Sequence, residues 1–198
     1  MIDDLATLIP KMQTCRICQG LELGPNPIFQ LDAEAKILIA GQAPGRITHA
    51  KNRPFDDPSG QRLRSWLGVD EATFYADNRM GIFPMGLCFP GSGKAGDQPP
   101  RPECAATWRA PVMDALKQVE LTLVLGAYAI GWHLPQLKGK SVTEAVKYSA
   151  KGQNGIYVLP HPSPRNNRWL KQNPWFELDV IPQIQARVRH LLDRPASR

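Results

Sequence analysis

Four groups of residues in this 198-residue sequence are of types that do chemistry. The four cysteines fall into two pairs, Cys15-Arg16-Ile17-Cys18 and Cys88 with Cys104. A lone CxxC is compatible with redox exchange, but a second pair completes a four-thiolate donor set. Such a set suits a tetrahedral zinc or an iron–sulfur cluster; spacing does not separate the two, and buried free thiols are the remaining reading. The segment Gly41-Gln42-Ala43-Pro44-Gly45 has the glycines of a tight turn whose backbone can approach a ligand closely. The same composition also serves an ordinary strand-to-loop turn. Arg53–Gly60 (RPFDDPSG) offers one aromatic ring, Phe55, and two carboxylates, Asp56 and Asp57. A carboxylate there can handle a proton or a water, or it can cap a helix that begins near Ser59. Finally, His161-Pro162-Ser163-Pro164-Arg165-Asn166 sets an imidazole at the head of a loop stiffened by two prolines. Arg165, Arg168 and Lys171 crowd beside it, as cations that meet phosphates do.

The elements that must position these groups are visible as short apolar runs. Lys36–Ala40, Ile82–Leu87, Leu121–Leu125 and Ile156–Leu159 read as buried parallel strands. Pro84 weakens the second, because proline removes a ladder hydrogen bond. Helices are expected over Ser59–Leu67, with Ser59 as N-cap, and over Pro102–Val119, Gly126–Leu134, Val142–Ser149 and about Phe176 to Leu192. Strands separated by helices predict a three-layer α/β/α sandwich around a central four-stranded parallel sheet, a single domain over residues 1–198. Ligands of such sheets bind beyond the carboxyl ends of the strands. The glycine turn follows the first strand and the histidine loop follows the fourth, which predicts one shared cleft. Phe89–Pro102, rich in glycine and proline, is a loop; too little chain lies on either side of it for two cores.

Net charge is +6 and the pI about 9.3. From Lys138 to Arg198 there are eleven Lys/Arg against four Asp/Glu, whereas residues 1–137 hold thirteen against fourteen. A basic stretch is commonly a solvated face, but one that surrounds the histidine loop points to a polyanion. No apolar stretch nears the ~20 residues of a membrane span. The first residues carry Asp where a secretory leader has Lys or Arg, so a cytoplasmic monomer is expected, where structural disulfides are rare.

Taken in order, CRIC, GQAPG, NRPFDDPSG, the Cys88-Phe89-Pro90 loop and PRPEC resemble the iron–sulfur uracil-DNA glycosylases of families 4 and 5. HPSPRN resembles motif B of the single-strand-selective monofunctional uracil glycosylases, and the whole likeness runs from Cys15 to about Trp175. The resemblance implies a base-excision repair enzyme that hydrolyses the N-glycosidic bond of uracil in DNA. It implies a structural [4Fe–4S] cluster on Cys15, Cys18, Cys88 and Cys104, with zinc as the alternative. Asp57 takes the place of the catalytic carboxylate, with Asp56 as fallback, and His161 donates to the uracil O2. Gly41, Gln42, Ala43, Phe55 and Ser163 would contact the base. Arg165 would wedge into the duplex, while Asn166, Arg168 and Lys171 meet its backbone and Asn167 and Trp169 lend support.

Three positions depart from the pattern. Family 4 has Glu where this chain has Gln42, other families have Asp or Asn where it has Ala43, and uracil-strict members have Asn where it has Pro84. Catalysis then falls to Asp57 and His161, and breadth toward hypoxanthine or xanthine is expected. His133 reads as a packing residue. His49 lies in a loop where one related group carries a covalent histidine, without that group's basic run. Two other functions fit the same fold: a non-catalytic binder of damaged or single-stranded DNA, and a small-molecule enzyme, against which the basic loop argues.

Overall fold

Residues Ile37–Ala40 are all fully buried, and a strand buried on both faces needs neighbours beside it and helices above and below. The computed structural model supplies both; it describes residues 4–94 and 96–194, without the side chain of Gln153. The chain runs α1 (Leu5–Gln13), β1 (Ile37–Ala40), α2 (Arg46–Lys51), α3 (Pro58–Leu67), α4 (Glu71–Ala76) and β2 (Met80–Ile82). A hairpin of β3 (Ser92–Gly93) and β4 (Gly96–Asp97) follows, then α5 (Pro102–Ala115), β5 (Leu121–Leu125), α6 (Ala127–His133) and α7 (Val142–Ser149). The last elements are β6 (Ile156–Leu159), α8 (Asn167–Gln172) and α9 (Ile181–Asp193), the last entered through a π-turn over Phe176–Val180.

The central sheet is four-stranded, parallel throughout, in the order β2-β1-β5-β6. Its register sets Ile37 beside Met80 on one side and Leu121 on the other. Side chains alternate across a strand. Accordingly Leu38 packs with Leu5, Leu8 and Met12 of α1 and Val112 of α5, while Ile37 and Ile39 join Leu63 of α3 and Ile184 and Val188 of α9. The expected α/β/α layering around a parallel sheet is the architecture found.

Several boundaries differ from expectation for physical reasons. The second strand is Met80–Ile82 instead of Ile82–Leu87. Past Ile82 the backbone still leans on the first strand, with Phe83 N–H donating to Ile39 O at 2.9 Å, but Pro84 has no N–H to continue the ladder. Helix α3 is capped by Asp57, not Ser59, with Pro58 as its first residue, a position that suits a missing N–H. Helix α5 ends at Ala115, short of the expected Val119. The loop over 89–102 contains the β3–β4 hairpin, and α1, α2, α4 and α8 were not foreseen. Ala95 of that loop, and the first and last residues of the expected 1–198 domain, lie outside the described residues. Among the described residues no helix is long and apolar enough to cross a membrane.

Candidate active site

Parallel strands deliver the residues that follow them to one edge of a sheet, and here all four strands deliver to one cavity of about 660 Å³. After β1 come Gly41, Gln42 and Ala43; after β2, Pro84; after β5, Tyr128; after β6, His161. The shared cleft inferred from two strand ends is therefore present.

The glycine turn is fixed from behind. Met85 N–H donates to Gly41 O at 2.9 Å and Gly86 N–H to Gln42 O at 2.8 Å. The Gln42 side chain lies against Gly126, where a Cβ would come within 2.6 Å of its Cδ. Gly126 has φ +89°, so glycine serves there both for space and for backbone conformation. Phe55 reaches the cavity from a second strained turn, with φ +54° in a residue that has a Cβ. Its ring tip faces Gly41, and its edge meets Phe74 at 6.5 Å between centroids. Tyr75 holds the approach by donating its hydroxyl to Pro54 O at 2.8 Å.

Asp57 and Asp56 part company. Asp57 lines the cavity, and one carboxylate oxygen accepts from Gly60 N–H at 2.8 Å as the α3 cap. Asp56 does not line the cavity; its carboxylate pairs with Lys51 at 3.2 Å and Arg53 at 4.0 Å. His161 is largely buried, and that burial holds its imidazole below the ordinary range. Asp57 and Asp97 pull the other way, and Arg165 adds to the lowering. Its Nδ1 accepts from Ser163 N–H at 3.2 Å. A ring that accepts at Nδ1 carries its proton on Nε2, so the neutral side chain has one N–H to offer.

The loop after His161 is bound largely to itself. Asn166 Nδ2 donates to His161 O at 2.7 Å, and Arg165 N–H donates to Ser163 Oγ at 3.3 Å. Ser163, Arg165 and Asn166 all line the cavity. Arg165 lies across to the hairpin: a Cβ on Gly96 would stand 2.7 Å from its Nη1. Arg168 and Lys171, exposed on α8, do not line the cavity. The basic surplus is also less concentrated than composition suggested. Arg187 and Arg194 close on Glu120 at 3.2 and 2.8 Å, at the entry to β5 and so at the far end of the sheet.

Among the cavity residues that the sequence analysis missed are two polar side chains. Asp97 comes from the hairpin, and Tyr128, 47% exposed, stands at the rim on α6. His133 packs as expected, against the buried Arg109. His49 does not line the cavity; its ring meets Phe89 edge-on at 6.2 Å.

The cysteines occupy a separate region, where α1 meets α5 and the loop after β2. Burial pushes the Cys104 thiol up to about 12, and Cys18, Cys88 and Cys15 nearby each add to the rise. Burial likewise pushes Cys88 up to about 11. N–H groups point at the sulfurs: Trp108 Nε1 at 3.3 Å from Cys15 Sγ, Leu87 N at 3.3 Å from Cys104 Sγ, and the Asn26 amide toward Cys88. Donors around buried sulfur suit bound thiolates, whose charge they stabilise. Among the described residues no group of three or more His, Cys, Asp and Glu side chains is set to hold a single metal ion.

The sequence model of the Uracil DNA glycosylase superfamily matches residues 28–185. Among solved structures, the chain is similar to a solution NMR structure from Methanosarcina acetivorans of a protein provisionally named a uracil DNA glycosylase. That likeness is at 19% identity and a TM-score of 0.49, covering 84% of this chain and 98% of that one.

Proposed function

The chain belongs to the Uracil DNA glycosylase superfamily, and from that premise we propose that it is a monofunctional DNA glycosylase hydrolysing the N-glycosidic bond of uracil, with breadth toward other deaminated bases. One observation carries the proposal. Asp57 and His161, from opposite halves of the chain, line one cavity, and the imidazole is held neutral with its proton on the nitrogen that Ser163 does not occupy.

A base in the stack must be extruded before it can be cleaved. In the cavity it would lie against the Phe55 ring, with Arg165 filling the space it left. As the bond to C1′ breaks, negative charge grows on the base and positive charge on the sugar. His161 Nε2–H would donate to the base carbonyl where the negative charge collects. Asp57 would face the cationic sugar and orient the water that attacks C1′; the water's proton leaves with the departing base. Pro84 offers no amide to read the base edge, which supports the broader substrate range.

Cys15, Cys18, Cys88 and Cys104 would hold a [4Fe–4S] cluster, a structural staple between the N-terminal segment and α5. The shared thiol neighbourhood and its N–H donors support this assignment.

Base release from oligonucleotides containing uracil, hypoxanthine or xanthine, single- and double-stranded, is the test. Release is expected, with His161→Ala lowering the rate about 10²- to 10³-fold. Asp57→Asn should lower it about 10²-fold or more while sparing the fold, since asparagine caps helices as well as aspartate does. A second reading, DNA binding without catalysis, draws on the Asp57 carboxylate already serving as a cap. Tight binding with no release of any base would establish it in place of the enzyme.

A further inference from the structure

We propose that Arg62 is a positioning residue, which sets the His161 loop against Asp57 by tying that loop to the helix Asp57 caps. The inference rests on the glycosylase reading above. Arg62 lies on α3 and does not line the cavity. Its Nη1 donates to Pro162 O and to Ser163 O, both at 3.2 Å, and its Nη2 donates to Asn167 Oδ1 at 2.7 Å.

Among the described residues, the other side-chain hydrogen bonds of this loop run within it. Ser163 N–H to His161 Nδ1, Asn166 to His161 O and Arg165 N–H to Ser163 Oγ shape the loop but do not locate it. The guanidinium is the tie from outside. Prolines at 162 and 164 rule out a ladder here, so the carbonyls need a donor from elsewhere. A planar fork reaches two carbonyls with one arm and an amide oxygen with the other, which a single ammonium point cannot reproduce. Among the described residues Arg62 has no carboxylate partner within ion-pair distance, so its donors are committed to the loop. Asp57 is bonded to the first turn of α3 as its cap, so a displacement of the loop relative to α3 is a displacement of His161 relative to Asp57.

The test compares Arg62→Ala, Arg62→Gln and Arg62→Lys with wild type in single-turnover base release and in DNA binding. The chemical step should fall about 10- to 100-fold, as for a misplaced group, while affinity for uncleaved DNA changes less than about threefold. Arg62→Lys should recover little of the loss, and added guanidinium should restore part of the Arg62→Ala rate. On a His161→Ala background the Arg62→Ala change should cost nothing more. An unchanged chemical step in variants that fold, or a full additional loss on that background, overturns the inference. Nitrogen NMR of the His161 ring is read in parallel. Arg62→Ala and Arg62→Gln should move its resonances, and unmoved resonances overturn the inference even if no base is ever released. Failure of wild type to release any base, with the resonances moved, defeats the glycosylase reading alone.

Discussion

Burial holds both His161 and His133 below the ordinary imidazole range, His133 at about 3 with Arg109 adding to the effect. A free imidazole titrates near 6.5. His161 must be neutral to offer its Nε2–H to a base that gains negative charge, so the acid limb of base release should lie below pH 6.5. A limb centred at or above that value would remove His161 from the role. The same shifts bear on stability. The unfolded chain takes up protons on these rings as pH falls below about 6.5 while the folded chain does not, so stability is lost toward acid and regained toward neutrality. His133→Gln keeps an acceptor for Arg109 and deletes one titration. Its stability should fall less steeply between pH 6.5 and 4, by up to about 1.4 kcal/mol per pH unit, in urea unfolding at several pH values. An unaltered slope would place the proton uptake elsewhere. At this scale the sequence showed the residues that announce themselves locally: a histidine before two prolines, an aspartate before a helix. Arg62 and Asp97 gave no such sign, because what they do depends on partners far along the chain.

Elements were legible where a run of residues carries one pattern. β1, β5 and β6 follow from buried apolar runs, and α7 spans the expected Val142–Ser149, where the structure adds a Ser141–Glu144 capping box. The edge strand β2 was misplaced because the apolar run continues past Ile82 while Pro84 ends the pairing. Helix α1 had a readable start at Asp4 and buried Leu5, Leu8 and Met12 at helical spacing. Helices α2 and α4 span only six residues each, too short to establish a period. The turn from Phe55 into α3 could not be read at all. A Cβ on Gly60 would stand 1.6 Å from Phe55 O, so the glycine admits the backbone crossing that gives Phe55 its positive φ. Gly60→Ala should therefore cost about 3 kcal/mol or more, and whatever folds should release base poorly because the Phe55 ring is displaced. A melting curve close to wild type would show that the turn yields easily.

Across the whole molecule the cysteine region joins parts that the sheet does not. Trp108 reaches Cys15, and Arg101 donates to Gln19 O at 2.7 Å, so the segment after α1 is fastened to α5. On the cluster assignment, protein purified without oxygen should be brown and contain four irons per chain, as a [4Fe–4S] centre has. Cys104→Ser should lose the colour and more than about 5 °C of melting temperature, whereas Asp57→Asn should keep both. Colourless protein with one tightly held zinc would overturn the assignment.

Gly96 is shaped to let Arg165 rest on its backbone, which lays that side chain across the lip of the cavity before any DNA arrives. On the glycosylase reading, a base entering the cavity would have to pass beside that guanidinium. Were the guanidinium to shift for each arrival, the time a nucleotide spends outside its stack would decide whether it enters. Weakly paired lesions unstack more readily than sound pairs, so rejection of normal DNA would begin as a contest of dwell times, ahead of any inspection of the base itself.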